Sequence, residues 1–424
     1  MAAPNATTQK TIPDVPFSPP AISEDDIEAV VKVLRSGWIT TGPVSKQFEQ
    51  ELSELTGTNA VLLQSSCTTA LETILRLAGG GVGDEVLVPA YTYTASASAV
   101  LHTGASVVLV DNALGSFVPS VEQFVRAVTP KTKAIVTVDF AGIPFPSDLL
   151  RGALVEAGPE FRENAIASLG RPLVIADAAH SLGAERDGTM AGTLADLTAF
   201  SFHAVKNLTT AEGGALTWRS GLVEDEAKLY QDMYVHSLHG QTKDAREKSK
   251  PGLWEYDIVA AAYKANMPDV LAALGLSQLQ RYGATVRSRT EAIARYRSLL
   301  APTVEVLEHE TQGSHSSGHL AVASIPVTDS GARNRVIEMM AERGVATNVH
   351  YKPLPLLTAY RNLGFRMEDF PNAYRAFSSE VTLPLFNGIT PAQVERVAEA
   401  LTESLAELGR SETSATGAED VVRS

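Results

Sequence analysis

The stretch over residues 196–216 carries a lysine in a setting that could do amine chemistry. Lys206 follows an apolar run at 197–202 and lies three residues after His203 and five after Ser201. Burial of a lysine amine lowers its pKa, and the neutral amine is both a nucleophile and a base. The alternative is an ordinary surface lysine at a strand end, which the burial statistics of lysine favour when the stretch is taken alone.

A second stretch could bind an anion. A short apolar run at 60–63 leads directly into Gln64-Ser65-Ser66-Cys67-Thr68-Thr69, where a helical pattern begins. Backbone amides at a helix N-terminus and small hydroxyl groups together bind phosphate. Ordinary helix capping by Ser66 or Thr68 explains the same residues equally well.

These groups fall at the ends of predicted strands. Apolar runs at 85–88, 106–110, 134–138 and 172–176 alternate with helical patterns, which indicates an α/β fold with a mainly parallel sheet covered by helices on both faces. Ligands of such sheets bind beyond the carboxyl ends of the strands. Tyr93, Asp177 and His180 follow strands, as Ser66 does, so we expect one pocket at this edge.

Composition restricts the classes of function. With 424 residues, 44% hydrophobic and 20% charged, the chain is expected to be a soluble protein of two domains. The formal net charge of −14 disfavours nucleic acid and anionic membranes as partners. The single cysteine, Cys67, excludes an internal disulfide framework, and no metal site is expected. The N-terminus has no signal-peptide pattern and no window is long and apolar enough for a membrane span, so a cytoplasmic enzyme is expected.

The order of patterns predicts the domain organisation. Patterns typical of short strands, over 304–326 and 345–349, follow a long helical pattern, which indicates a second, smaller α+β domain. We expect a flexible arm at 1–16, a large domain at 17–270, a connecting helix at 271–300, a small domain at 301–410 and a disordered polar tail at 411–424.

The strand-end residues match the needs of pyridoxal phosphate. Its aldehyde needs a lysine, its pyridine nitrogen a carboxylate, its phosphate a helix N-terminus with hydroxyl groups, and its ring an aromatic partner. The chain offers these groups as Lys206, Asp177, Ser66 with Thr68 and Ser201, and Tyr93. No Walker loop and no dinucleotide fingerprint competes with this interpretation.

Eight motifs in order carry a resemblance to a known family. They are SGWITTGP at 36–43, SSCTTAL at 65–71, PAYTYTASA at 89–97, DAAHSLG at 177–183, FSFHAVKNLTTAEGG at 200–214, AYKANMPDVLAALGLSQL at 262–279, NVHYKPL at 348–354 and LPLF at 383–386. Over these residues the chain resembles the DegT-type sugar-nucleotide aminotransferases. The residues of its motifs are most similar to those of the enzymes that make 4-amino-4-deoxy-arabinose and related 4-amino sugars. The resemblance implies a fold-type I pyridoxal-phosphate transferase, with a seven-stranded sheet sandwiched by helices.

The resemblance also implies roles for single residues. Lys206 resembles the Schiff-base lysine that moves the proton, and Asp177 resembles the partner of the pyridine nitrogen. His180 resembles the residue near the cofactor's phenolic oxygen, and Tyr93 and Ala179 those on the two faces of the ring. Phosphate contacts are implied for Cys67, Thr68, Ser201 and Asn266. The asparagine would reach the neighbouring subunit's phosphate, which implies a homodimer with shared sites.

Other residues are candidates for the substrate, or remain open. We expect the substrate near Trp38, Thr40, Thr41, Lys264, His350 and Tyr351. His180 taken alone could be a histidine of the core, and the sequence leaves the role of His203 open.

The resemblance implies transfer of an amino group from L-glutamate to a nucleotide-linked keto sugar, most often a 4-keto sugar. An aminotransferase of a 3-keto sugar or cyclitol remains open, as does the nucleotide carrier. A dehydratase of the same fold is disfavoured because such relatives carry a histidine in place of Lys206. A non-catalytic relative is disfavoured because Lys206, Asp177 and His180 are all present.

Overall fold

The structure is a computed structural model that describes residues 15–243, 251–252, 254–311 and 313–421. Most of the predicted arm, residues 1–14, and the last three residues of the predicted tail lie outside these ranges. Val15, which the sequence assigns to the arm, is buried and pairs with Val345 of the small domain.

The large domain alternates helices with strands up to residue 279. Its helices are α1 (Glu24–Ser36), α2 (Pro43–Thr56), α3 (Cys67–Leu77), α4 (Thr94–Leu101), α5 (Val121–Ala127), α6 (Ser147–Ala157), α7 (Ala191–Leu194), α8 (Glu226–Ser237) and α9 (Asp269–Leu279). Its strands are β1 (Val61–Gln64), β2 (Glu85–Pro89), β3 (Ser106–Val110), β4 (Thr132–Val138), β5 (Leu173–Asp177), β6 (Glu185–Arg186), β7 (Thr189–Met190), β8 (Leu197–Ser201) and β9 (Gly214–Trp218).

Seven of these strands form the central sheet, in the order β1-β9-β8-β5-β4-β2-β3. Only β9 is antiparallel to its neighbours, so the predicted mainly parallel seven-stranded sheet is confirmed. All five residues of β5 are buried, as expected for a strand in the middle of a sheet with helices on both faces. The carboxyl ends of β1, β2, β4, β5 and β8 therefore meet at one edge.

The predicted connecting helix at 271–300 is two helices, α9 and α10 (Tyr282–Leu300). The break has a physical cause, since the two helices are tied to different parts of the large domain. Arg281, between them, forms an ion pair with Asp26 of α1, and the Tyr282 hydroxyl donates a hydrogen bond to the Leu182 carbonyl at 2.8 Å. These contacts anchor the start of α10 to the large domain.

The small domain is built on a three-stranded antiparallel sheet, in the order β10-β13-β14. Its elements are β10 (Glu305–Val306), β11 (Glu310–Thr311), β12 (Ser314–His315), β13 (Ala321–Ser324), α11 (Ser330–Glu342), α12 (Thr358–Asn362), α13 (Pro371–Ser379), β14 (Glu380–Leu383) and α14 (Pro391–Val421). A strand predicted at 345–349 is replaced by two isolated bridges, of Val345 with Val15 and of Asn348 with Thr382. The sequence did not predict β14, which borders the site described below.

Helix α14 extends past residue 410 into the segment for which the composition predicts a disordered tail. The segment lacks proline, which would stop a helix. In the ranges that the structure describes, none of the helices combines the length and the apolar character needed to span a membrane.

Candidate active site

A cavity of about 480 Å³ lies at the carboxyl edge of the sheet, between the two domains. Its volume falls in the range of small-molecule sites. It brings together most of the predicted site residues, namely Ser66, Cys67, Thr68, Tyr93, Asp177, Ala179, His180, Ser201, Lys206, His350 and Tyr351. We call this cavity the Lys206 pocket.

Lys206 lies in the loop between β8 and β9, and the backbone on both sides of it is anchored. Its N–H donates to the His203 carbonyl at 2.9 Å, and the next residue, Asn207, donates from its side chain to the Ser317 carbonyl at 2.7 Å. Burial lowers the pKa of Lys206 to about 8, against the opposing attraction of Asp177 and Cys67. About a tenth of the amine is therefore neutral at pH 7, enough to act as a nucleophile or base.

Asp177 ends β5 and carries the carboxylate of the pocket. Its Oδ2 accepts a hydrogen bond from the Ser96 hydroxyl at 2.6 Å, and its Oδ1 accepts one from the Ala179 N–H at 3.3 Å. Burial raises the pKa of Asp177, while the hydrogen bonds from Ser96 and Ala179 and the charge of Lys206 act in the opposite direction. A positively charged ring nitrogen in the pocket would complement this carboxylate.

The N-terminus of α3 forms another wall of the pocket. The Ser66 hydroxyl accepts a hydrogen bond from the Thr69 N–H at 3.1 Å, so Ser66 does cap the helix, as the alternative interpretation expected. Strand β9 approaches this turn closely, because a Cβ at Gly214 would lie 2.4 Å from the Cys67 nitrogen. The approach leaves Thr68 and Ser201 on the wall beside the helix N-terminus, an arrangement suited to a phosphate.

His180 and Tyr351 join the two domains at the pocket. The Tyr351 hydroxyl lies 2.9 Å from Nε2 of His180, and the ring of His319 packs on His180 with centroids 4.2 Å apart. Burial lowers the pKa of His180, with Lys206 and His350 adding to the effect, so the imidazole is neutral at pH 7. Its Nδ1 is buried and has no hydrogen-bond partner among the described residues.

These observations fit pyridoxal phosphate. His180 lines the pocket and its buried Nδ1 has no hydrogen-bond partner among the described residues, while Asp177, Lys206 and the N-terminus of α3 offer one group each for the ring nitrogen, the aldehyde and the phosphate. Tyr93 also lines the pocket and is 60% exposed, with its ring centroid 5.9 Å from that of Tyr351, so an aromatic side chain lies where a bound ring needs one.

Five predicted residues do not line the Lys206 pocket. They are Trp38, Thr40, Thr41, Lys264 and Asn266, which we call the Thr41–Asn266 cluster. Four of its members, all except Thr40, are linked by hydrogen bonds across two segments of the chain. The Trp38 indole donates to the Thr41 carbonyl at 3.2 Å, and the Thr41 hydroxyl bonds both the Met267 carbonyl and the Asn266 side chain. Lys264 in turn bonds the side-chain oxygen of Asn266.

His203 lines the pocket but is exposed, and its Nε2 lies 3.7 Å from a carboxylate oxygen of Glu212. Such an exposed pair contributes little to stability. The structure thus places His203 near Lys206 without giving it a task.

The sequence missed four residues that the structure places in or behind the pocket. Asp139 lines it, and burial raises the pKa of its carboxyl to about 7. Ser96 holds Asp177, His319 packs on His180, and Glu380 accepts a hydrogen bond from the His350 N–H at 3.0 Å. Asp139 directly follows β4 and Asp177 ends β5, so both lie at strand ends, which is a usable signal, whereas nothing local marks His319 or Glu380.

Comparisons with known proteins identify the family. A model of the DegT/DnrJ/EryC1/StrS aminotransferase family matches residues 20–402. The chain is 34% identical over 398 residues to the spore coat polysaccharide biosynthesis protein SpsC of Bacillus subtilis, covering 91% of this chain and 96% of that protein. It is 31% identical to the UDP-4-amino-4-deoxy-L-arabinose–oxoglutarate aminotransferase of Shewanella sediminis, covering 92% and 97% of the two chains.

Solved structures are similar over the same length. Spr1654 from Streptococcus pneumoniae, described as a sugar aminotransferase, is 44% identical in its PMP form, with a TM-score of 0.89 and coverage of 93% of this chain and 100% of that chain. PseC of Helicobacter pylori, an aminotransferase of pseudaminic acid biosynthesis, is 25% identical, with a TM-score of 0.82 and coverage of 93% and 99%.

Proposed function

The chain belongs to the DegT/DnrJ/EryC1/StrS aminotransferase family of pyridoxal-phosphate enzymes, and on that premise we propose that it transfers the amino group of L-glutamate to C4 of a nucleotide-linked 4-keto sugar. The observation that carries the proposal is the Lys206 pocket, in which a lysine with a lowered pKa and a buried carboxylate share one cavity. The name of the Shewanella relative supports a 4-keto sugar on a nucleotide carrier.

Different residues of the pocket would have different roles in the reaction. When bound, pyridoxal phosphate supplies an electron sink that makes the hydrogen on the amino-bearing carbon acidic. Lys206 would hold the aldehyde of the cofactor, and its freed amine would take a proton from the α-carbon of glutamate. The same Nζ would later deliver a proton to C4 of the sugar, which balances the exchange of glutamate and keto sugar for 2-oxoglutarate and amino sugar.

Other residues hold the reacting parts in place. Asp177, fixed by Ser96, would keep the ring nitrogen protonated, while the N-terminus of α3 with Thr68 and Ser201 would hold the phosphate. Residues of both domains surround the Lys206 side chain in the pocket, and the resulting loss of solvation favours the neutral amine. His350 and Tyr351, from the small domain, would face the sugar.

The proposal includes a homodimer with shared sites. Asn266 and the other members of the Thr41–Asn266 cluster do not line the pocket of their own chain. In a symmetric dimer the cluster would complete the pocket of the partner, with Asn266 at its phosphate. The cytoplasm is the proposed location, since it supplies L-glutamate and nucleotide sugars.

The test is an assay of the purified, cofactor-loaded protein with L-glutamate and a panel of UDP-, dTDP- and GDP-linked 4-keto and 3-keto sugars. Mass spectrometry and isotope-edited NMR would identify the amino sugar and the carbon that carries nitrogen. We expect a 4-amino product, and none from a Lys206→Ala variant. A 3-amino product overturns the assignment of C4. Conversion of glutamate without conversion of any nucleotide sugar overturns the substrate class.

A further inference from the structure

Behind the pocket, three residues form a closed hydrogen-bonded ring. Nδ1 of His350 lies 2.9 Å from the Thr382 hydroxyl oxygen, and that hydroxyl bonds Oε1 of Glu380. Oε2 of Glu380 accepts a hydrogen bond from the backbone N–H of His350 at 3.0 Å. Glu380 and Thr382 lie on β14 and are fully buried, whereas His350 lines the Lys206 pocket.

One bond of the ring has a fixed direction, and the other two can reverse together. The His350 N–H can only donate, so Oε2 always accepts, and a carboxyl proton on Oε1 is the one that the Thr382 hydroxyl can accept. If Glu380 is ionised, the Thr382 hydroxyl donates to it and accepts from Nδ1–H of His350. If Glu380 is protonated, the hydroxyl accepts from it and donates to Nδ1, which moves the ring proton to Nε2.

The groups around the ring make both states accessible. The titratable or charged groups that face Glu380 or His350 are Arg333, Tyr91, Tyr351, Lys206, His180 and His319. Burial raises the pKa of Glu380 to about 8 against the attraction of Arg333, and burial lowers the pKa of His350 to about 4. The imidazole therefore stays neutral near pH 8 and carries one ring proton, whose position matters.

We propose that Glu380 acts through the Thr382 hydroxyl as a positioning residue that decides which ring nitrogen of His350 carries the proton. Nε2 is the ring nitrogen that no described residue engages, so it is the one left for a ligand. With Glu380 protonated, His350 offers the pocket a hydrogen-bond donor, and with Glu380 ionised it offers an acceptor. The consequence for the sugar rests on the proposed function, because it takes His350 as a substrate residue.

The substitution Glu380→Gln distinguishes control of the His350 proton by this relay from a purely structural role of Glu380. Its amide oxygen would accept from the His350 N–H, which leaves the NH₂ group to donate to Thr382. Glu380→Gln therefore imitates the protonated carboxyl and locks the ring proton on Nε2. Thr382→Val removes the hydroxyl with little change of shape, and Thr382→Ser retains it.

The direct test is NMR of the ring nitrogens in the cofactor-loaded enzyme labelled with ¹⁵N-histidine, with the His350 signal assigned from a His350→Gln variant. Between pH 6.5 and 9.5 we expect the wild-type ring proton to move from Nε2 to Nδ1. It should stay on Nε2 in Glu380→Gln at every pH. A wild-type ring that holds one tautomer throughout overturns the proposal, as does the same movement in Glu380→Gln, which would assign it to another group such as Lys206.

Kinetics supply a second readout. Thr382→Val should lower kcat/KM for the keto sugar about tenfold and change the half-reaction with glutamate less than twofold, while Thr382→Ser stays near wild type. Thr217→Val is the matched control, since Thr217 is a buried strand residue whose hydroxyl donates to the Ala60 carbonyl at 2.6 Å. Equal losses in both half-reactions, or no loss in either, overturn the role toward the sugar.

The two proposals fail in distinguishable ways. If no nucleotide sugar is a substrate, the proposed function fails, yet the NMR experiment still tests the relay because it needs no sugar. If a sugar is converted but the ring proton of His350 does not respond to Glu380, the relay alone fails.

Discussion

A single chain forms the Lys206 pocket, whereas the residues of the Thr41–Asn266 cluster do not line that pocket. The family resemblance nevertheless assigns both to one active site. The pocket gathers a lysine, a carboxylate and a helix N-terminus from strands that end at the same edge of one sheet. The cluster joins the loop after α1 to the segment before α9, and its side chains bond mainly one another. One chain thus supplies the residues proposed to hold the cofactor's ring, while Asn266, which the resemblance implies for the phosphate, lies outside this pocket.

The difference suggests which site residues must come from the same chain and which can come from a partner subunit. Groups that must react within hydrogen-bond reach, such as Lys206 and Asp177, come from one rigid sheet. A group that contributes charge or orientation, such as Asn266, can come from another subunit. If the proposed dimer forms, substitutions in the pocket should abolish activity in any pairing of subunits, whereas substitutions in the cluster should be compensated by an intact cluster on the partner.

The largest effect is expected for Lys206→Ala. Loss of the amine removes both the attachment of the cofactor and the transfer of the proton, so kcat for amination of the sugar should fall at least about 10⁴-fold. Steady-state assays with L-glutamate and the keto sugar measure it. The exposed Lys228 supplies a matched control, because Lys228→Ala should keep wild-type activity. Activity of Lys206→Ala within tenfold of wild type would refute the role.

Asp177→Asn should have the next largest effect. The amide cannot hold a proton on the ring nitrogen, so we expect both half-reactions to slow by about 10²- to 10³-fold. Stopped-flow measurement of each half-reaction checks this. Asp329→Asn serves as the control, since Asp329 caps α11 and asparagine caps equally well. A loss confined to one half-reaction would contradict the assignment of Asp177 to the cofactor.

Asn266→Asp tests whether the cluster serves a partner. A carboxylate in place of the amide should weaken retention of pyridoxal phosphate about 10- to 100-fold, measured by equilibrium dialysis. Exposed Asn362, changed to aspartate, is the control. Mixing Lys206→Ala and Asn266→Asp subunits should restore about a quarter of wild-type activity, because half of randomly paired dimers contain one intact site. No restoration after demonstrated subunit exchange would place Asn266 outside the partner's site.

The smallest effect is a pH dependence. Only the neutral amine of Lys206 attacks the cofactor's aldehyde, and its pKa is about 8. Attachment of pyridoxal phosphate to the cofactor-free protein should therefore slow about tenfold per pH unit below 8 and level off above it. Asp177 attracts the protonated amine, so Asp177→Asn should shift this midpoint to lower pH. A midpoint near 10.5 would show that burial does not lower the pKa.

The sequence predicted the large domain better than the small one, for a physical reason. Asp177 and Ser66 follow continuous buried strands, whose pattern and position at the sheet edge can be recognised locally. The family, the pyridoxal phosphate cofactor and the seven-stranded sheet are confirmed. The prediction of a strand at 345–349 was wrong, because Val345 and Asn348 form only isolated bridges, with Val15 and Thr382.

The site was less predictable wherever it depends on distant residues. Glu380 and His319 reach the pocket only because β14 and the segment before β13 pack behind it, and no spacing in the sequence encodes that contact. Arg281, at the break between α9 and α10, likewise pairs with Asp26, which is distant in the sequence. The assigned roles of the pocket residues remain predictions that the substitutions above address.

The most direct test of the central claim, that Lys206 serves both halves of one amino transfer, is a two-step titration of the cofactor-loaded enzyme followed by absorbance. We expect L-glutamate to remove the visible band of the lysine-bound cofactor and release one 2-oxoglutarate per Lys206. After removal of glutamate, the nucleotide keto sugar should restore the band and yield one amino sugar. A band that glutamate leaves unchanged, or that no keto sugar restores, would contradict the account.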